Sequence, residues 1–146
     1  MRVVIQRVDG AVARRSDIVI EQIGRGLVLF VGFAPQDGES TLTRLAGKIS
    51  RLRLFDDNES RFARSILDIA GQALTVPQFT LFADVTRGAK PSFSRNAELN
   101  VARTLYLRFG EALREAGVAR VRQCPFAARL HLEQQHWGPC TLVLDG

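Results

Sequence analysis

Apolar and polar residues alternate through Met1-Arg2-Val3-Val4-Ile5-Gln6-Arg7-Val8, which suits a strand that buries one face. Ile18-Val19-Ile20 followed by Gly24-Arg25-Gly26 reads as a second strand closing in a glycine turn. Leu27-Val28-Leu29-Phe30-Val31-Gly32-Phe33 is apolar on both faces and predicts a central strand. After a turn at Ala34-Pro35-Gln36-Asp37-Gly38, the residues Leu42, Leu45, Ala46, Ile49 and Leu52 recur at helical spacing and predict a helix over residues 40–54. A longer stripe, Ala102, Leu105, Tyr106, Phe109, Ala112, Leu113 and Ala116, predicts a second helix over residues 97–116 with Gly117 at its C-cap. Strands return at residues 118–122, 128–133 and 140–144, the last two joined by a tight turn through Gln134-Gln135-His136-Trp137-Gly138-Pro139. The expected architecture is α+β, one domain over residues 1–146, a mostly antiparallel sheet or roll of about seven strands with two helices.

One stretch does not fit a plain core strand. Leu74-Thr75-Val76-Pro77-Gln78-Phe79-Thr80-Leu81-Phe82-Ala83 is apolar and strand-like, yet it carries a proline, a glutamine and a threonine. Proline donates nothing to a sheet ladder, so Pro77 places the segment at an edge, a strand start or a bulge, where N–H groups can face a ligand. A period of two then puts Gln78 and Thr80 on one side and Phe79 and Leu81 on the other. A core strand with a polar solvent face is the plainer reading of the stretch taken alone.

The 146 residues are a single-domain length, and 46% hydrophobic with 24% charged residues is ordinary globular composition. The net charge of +5 points to a polyanionic partner, nucleic acid among them, or serves solubility alone. Arg44, Lys48 and Arg51 form a basic stripe on the outer face of the first helix; a solvated face accounts for it, and a contact with a phosphate backbone is the alternative. The segment from Asp84 to Arg95 holds Arg87, Lys90 and Arg95 with glycine, proline and hydroxyls, a loop suited to touching phosphate or an ordinary mobile loop. Cys124 and Cys140 lack CxxC spacing, which fits a reducing compartment. No stretch has the length of a membrane span or the form of a signal peptide, so the expectation is a soluble cytoplasmic protein.

Standard chemical cassettes are missing. There is no G-x-S-x-G elbow, Walker loop or HExxH, and Gly24-Arg25-Gly26 lacks the third glycine of a dinucleotide fingerprint. His131, His136, Cys124 and Cys140 have no ligand spacing, so no metal and no cofactor is expected. What remains is a nucleic-acid binding module or an enzyme that works mainly with its backbone.

Taken together, Met1-Arg2-Val3-Val4-Ile5-Gln6-Arg7-Val8, Ile23-Gly24-Arg25-Gly26-Leu27, Gln78-Phe79-Thr80-Leu81, Lys90-Pro91-Ser92-Phe93 and Gly138-Pro139-Cys140-Thr141 resemble one family from end to end, the D-aminoacyl-tRNA deacylases. The resemblance implies hydrolysis of the ester joining a D-amino acid, or glycine, to the terminal adenosine of tRNA. It also implies a homodimer in which Gly138 and Pro139 of the partner subunit complete each site. The family's usual motifs read Ser-Gln-Phe-Thr-Leu and Asn-x-Pro-Val-Thr, so this chain departs at Pro77, at His136 and Trp137, and at Cys140. A sister group in animals with relaxed chirality also has proline at the position of Pro77, so the departures bear on substrate range more than on reaction type. By the same resemblance Gln78, Phe79 and Thr80 are the catalytic segment, Pro77, Phe126, Gly138 and Pro139 touch substrate, and Arg7 supports the Gly-Pro motif. For Phe126 a core role is an equal reading.

The chemistry agrees with this. An aminoacyl ester is already activated, so its hydrolysis needs a placed water and donors aimed at the developing oxyanion, which N–H groups near Phe79 and Thr80 can supply. The resemblance implies that the substrate's ribose 2′-hydroxyl positions or activates that water. It further leads us to expect a cis Gly138–Pro139 bond whose Gly138 carbonyl rejects L side chains by collision.

Overall fold

The computed structural model describes residues 1–86 and 88–146; Arg87, one of the three cations of the expected phosphate loop, lies outside the described residues. The long strand β1 (Arg2–Arg15) organises the sheet. Its first half pairs antiparallel with β3 (Gly26–Gly32), and its second half with β2 (Ile18–Ile23). Strand β6 (His131–Asp145) runs antiparallel along nearly the whole of β1 on the other side.

Beyond β3 the sheet becomes parallel. Strand β4 (Gln72–Pro77) pairs with β3, and β5 (Arg120–Gln123) pairs with β4, in both cases parallel. Parallel neighbours need a crossover, and each crossover here is a helix: α1 (Glu39–Arg51) before β4 and α2 (Leu99–Glu115) before β5. Both helices cover one face of the sheet, where Leu42, Leu45, Ile49, Phe109 and Leu113 pack with Leu27, Leu29 and Val31. On the opposite face Val8, Ala11, Ile23, Val28, Leu74 and Val76 form a second apolar cluster. The sheet curls around that cluster, bringing β2 toward β5, where Arg122 lies 3.7 Å from Glu21. A strand buried on both faces must be apolar throughout, which is why Leu27–Val31 reads as an unbroken hydrophobic run.

The α+β roll with two helices stands, with shorter helices than the periodicity suggested and six described strands in place of about seven. The seventh disappears because residues 134–139, expected to be a turn between two strands, lie within β6. Gln6 pairs with Thr141 and Val8 with His136, so the four residues 137–140 face Arg7 alone. A bulge of this kind takes up Pro139, which has no N–H for the ladder, without ending the strand.

Pro77 also differs from expectation, since β4 is an interior strand. It is tolerated at the strand's C-terminal end, beyond Thr75, the last residue paired with β5. The Gln78 amide still donates to the Val31 carbonyl at 2.8 Å, so the proline nitrogen falls on the side that β5 has vacated. Among the described residues no helix is long and apolar enough to cross a membrane.

Candidate active site

After Pro77 the chain leaves the sheet and winds into a short 3₁₀ turn, Phe79–Phe82, in which the Leu81 amide donates to the Gln78 carbonyl at 3.3 Å. The expected strand alternation of Gln78, Phe79, Thr80 and Leu81 therefore does not occur. With β5 ended and a proline in place, no ladder holds this segment extended. The turn packs on the end of β3, where a Cβ added to Gly32 would meet the Gln78 carbonyl at 3.0 Å and Leu81 at 3.2 Å. From below, an Arg2 guanidinium nitrogen donates to the Leu81 carbonyl at 3.3 Å, and the guanidinium stands over the Phe82 ring at 5.6 Å. Arg2 is held in turn by Asp145, whose carboxylate pulls the guanidinium pKa up.

The upper side of the turn is open. Phe79 and Thr80 are exposed, and their amides face no acceptor among the described residues, as expected for the first N–H groups of a helical turn. The Gln78 carboxamide donates to the Thr80 hydroxyl, which leaves the hydroxyl proton available to a third group. Phe79 meets Phe93 edge to face, with ring centroids 5.0 Å apart. Phe93 arrives there because Asp84 and Ser92 close their loop with two backbone hydrogen bonds of 2.8 and 2.9 Å. Within that loop the Thr86 hydroxyl and amide hold the Asp84 carboxyl below the usual carboxylate range.

Phe126 sits half-buried against Tyr106, ring centroids 5.8 Å apart, with the Arg103 guanidinium over its other side. The Tyr106 hydroxyl accepts from Thr75 Oγ1 at 3.0 Å and lies 2.9 Å from the Thr75 carbonyl and 2.8 Å from that of Cys124, donating to one at a time. It thereby ties α2 to β4 two residues before Pro77. Sequence reasoning placed Tyr106 only in an apolar stripe; the available signal was that a buried tyrosine needs a partner for its hydroxyl.

Arg7, Gly138 and Pro139 form a second group. Arg7 is buried, and its Nε donates to the Trp137 carbonyl at 3.0 Å while Nη1 donates to the Leu54 carbonyl and lies 3.4 Å from Asp56. The Phe62 ring covers the guanidinium at 5.6 Å. Sequence reading missed Leu54, Asp56 and Phe62 as partners of Arg7, because nothing local joins residue 7 to residues 54–62. The expected cis Gly138–Pro139 bond is corrected: the bond is trans, as are all described peptide bonds. The bulge turns on Gly138 itself, whose φ of +114° is open to glycine and strained for other residues. A cleft of about 530 Å³ beside the bulge is lined by Arg25, Phe55, Asp56, Arg64, Ile69 and Trp137.

Within one chain, then, Pro77, Gln78, Phe79 and Thr80 come together, as do Arg7, Gly138 and Pro139, and no described contact joins the two groups. His131 and His136 are exposed on β6 and Cys124 and Cys140 are buried; among the described residues no three His, Cys, Asp or Glu side chains are grouped as a metal site requires.

Residues 4–145 match the family model described as D-Tyr-tRNA(Tyr) deacylase. The chain is 41% identical over 145 residues to the D-aminoacyl-tRNA deacylase of Deinococcus radiodurans, covering 99% of both chains. It is 44% identical to the protein of that name from Roseiflexus sp., covering 99% of this chain and 93% of the relative. Identity to the Dinoroseobacter shibae protein of the same name is 43% over the whole of both. Among solved structures, the c-Myc DNA Unwinding Element Binding Protein superposes with a TM-score of 0.93 at 31% identity, covering 100% of this chain and 99% of that one. A probable eukaryotic D-amino acid tRNA deacylase superposes with a TM-score of 0.83 at 21% identity, covering 98% and 97%, a likeness of fold.

Proposed function

The chain belongs to the D-Tyr-tRNA(Tyr) deacylase family, and we propose that it hydrolyses the ester joining a D-amino acid, or glycine, to the terminal adenosine of tRNA. The observation that carries this reading is the pair of Phe79 and Thr80 amides, which face no described acceptor on an exposed turn. Water adds to the ester carbonyl, and the two N–H groups stabilise the oxyanion of the tetrahedral intermediate. The intermediate collapses by breaking the bond to the ribose oxygen, releasing free amino acid and tRNA with its terminal hydroxyl restored. The ribose 2′-hydroxyl of the substrate places the water. Thr80, steadied by Gln78, donates a hydrogen bond rather than attacking, since no base faces its hydroxyl among the described residues.

Each site is completed in a two-fold homodimer, with the partner subunit's Gly138 and the partner subunit's Pro139 set beside Phe79 and Thr80. An isologous interface supplies both sites at once. Support comes from the separation of the two groups within one chain and from the exposure of the bulge. The cytoplasm, where charged tRNA is found, is the place of action.

Release of amino acid from D-Tyr-tRNA by the purified protein, without added cofactor, tests the reading. Tight binding of charged tRNA without cleavage would mean a non-catalytic RNA-binding module. A relaxed-chirality deacylase is the second reading, favoured by Pro77 and by the trans Gly138–Pro139 bond. Hydrolysis of L-Tyr-tRNA at rates close to those of the D ester would select it.

A further inference from the structure

Helix α1 carries a row of cations that the rest of the chain leaves unneutralised. Arg44, Lys48 and Arg51 occur at i, i+4 and i+7, all three are exposed, and none has an ion pair among the described residues. Elsewhere the cations are mixed: Arg2, Arg14, Arg25 and Arg122 are each held by a carboxylate, while Arg15, Arg61, Arg95, Arg103, Arg120 and Arg129 have no ion pair among the described residues either, scattered singly rather than along one helix face. Arg108 on α2 takes three, Glu111, Glu115 and Glu39, and Glu39 is the only acidic residue of α1. Arg53, just past the helix, acts on Asp68, whose carboxyl is held low first by Ser65 and then by Arg53 and Arg64.

Stability does not explain the row. Arg44 and Lys48, like charges one turn apart, repel. The helix dipole favours cations in the last turn, which covers Lys48 and Arg51 but leaves out Arg44. Gly47 lies inside the row, and Arg51 Nη1 is 3.9 Å from where its Cβ would stand, so the guanidinium lies along bare helix surface. From Arg44 to Arg51 the helix rises about 10 Å, a length over which a polyanionic backbone presents several phosphates.

We propose that this row docks the sugar–phosphate backbone of the tRNA substrate, on the duplex behind its charged end. The proposal rests on the activity proposed above and adds to it a surface that recognises the body of the tRNA. The three cations have no described hydrogen bond with Gln78, Phe79, Thr80, Gly138 or Pro139, so recognition of the body and reaction at the ester are separable.

The test compares the wild type with an R44Q/K48Q/R51Q variant on two substrates, D-Tyr-tRNA and the small ester D-tyrosyl-adenosine, and measures binding of uncharged tRNA against salt. The expected result is a KM for D-Tyr-tRNA raised at least about 10-fold, with kcat and the small-ester rate unchanged and the log–log salt slope of tRNA binding flatter by about 2 to 3. An R44K/R51K variant, which keeps the charges, should retain the wild-type KM and slope. Unchanged KM and slope in the glutamine variant would overturn the proposal, as would parallel losses on both esters or equal losses in the lysine variant. If the wild type cleaved neither ester, the deacylase reading would fall, and the salt slope of tRNA binding would still decide the docking surface.

Discussion

Arg7 Nη2 lies 2.5 Å from the point where a Cβ on Gly138 would stand. The guanidinium has little room to retreat, because the Trp137 and Leu54 carbonyls hold it and the Phe62 ring covers it. Gly138→Ala would add this collision to the strain of a positive φ. We expect a loss of about 1–3 kcal/mol by urea denaturation. Displacement of the bulge should also lower kcat/KM on D-Tyr-tRNA by on the order of 100-fold. Wild-type stability together with wild-type turnover would show that the bulge tolerates a side chain.

Arg7→Lys keeps the charge and loses the fork. A single ammonium cannot span the Trp137 and Leu54 carbonyls as the guanidinium does, so one acceptor is left unmet at a cost of about 1–3 kcal/mol. If the bulge sets chirality, the ratio of D-Tyr-tRNA to L-Tyr-tRNA hydrolysis should fall in this variant while the D rate changes less. An unchanged ratio would separate Arg7 from selection.

Thr80→Ala should cost no more than about 100-fold in kcat, the loss of one transition-state hydrogen bond. Rapid quenching and mass spectrometry of the unmutated protein should find no acylated chain. Abolished turnover together with a trapped acyl-enzyme would make Thr80 the nucleophile.

Tyr106→Phe removes one hydroxyl and leaves the Thr75 hydroxyl and the Cys124 carbonyl without their shared partner in the core. The expected cost is about 1–3 kcal/mol of stability, read from a denaturant midpoint. Activity per folded molecule should remain near that of the wild type, since the hydroxyl is buried between α2 and the sheet, away from solvent. A fall in kcat at full stability would mean that the link from α2 to β4 positions the Gln78–Thr80 segment.

Burial pushes the Cys124 thiol from its ordinary value of 9.0 up to about 12, and the Tyr106 hydroxyl is raised by the same cause. With a folded pKa above the unfolded one, the native state keeps a proton that the unfolded chain gives up. The contribution is complete below pH 9 and is lost as pH rises toward 12. Denaturant titrations at pH 8 and pH 10 should show a fall in stability that Cys124→Ala partly removes. At pH 8 the native Cys124 thiol should react with thiol reagents only as fast as the protein unfolds.

Much of this molecule is legible along the chain. The stripe from Leu42 to Ile49, the stripe from Ala102 to Ala116 and the run Leu27–Val31 each declare a helix or a doubly buried strand, because periodicity records which faces of an element meet water. The same holds for the candidate site: Pro77-Gln78-Phe79-Thr80 stands out by carrying residues that a core strand does not need. What periodicity does not record is the partner. Whether β4 lies parallel to β3 is settled by residues 46 positions away, and whether the segments 131–133 and 140–144 are one strand is settled by a ladder with residues of β1 over a hundred positions away. That ladder pairs residues 134–136 with β1 and carries residues 137–140 as a bulge, where local turn signals predicted a break. The 3₁₀ turn at Phe79 follows from β5 stopping opposite Thr75, and the meeting of Phe79 with Phe93 follows from the closure of a loop between Asp84 and Ser92. The surroundings of Arg7 are non-local in the same way. A buried guanidinium takes whichever carbonyls the fold brings within reach, and here those belong to Leu54 and Trp137.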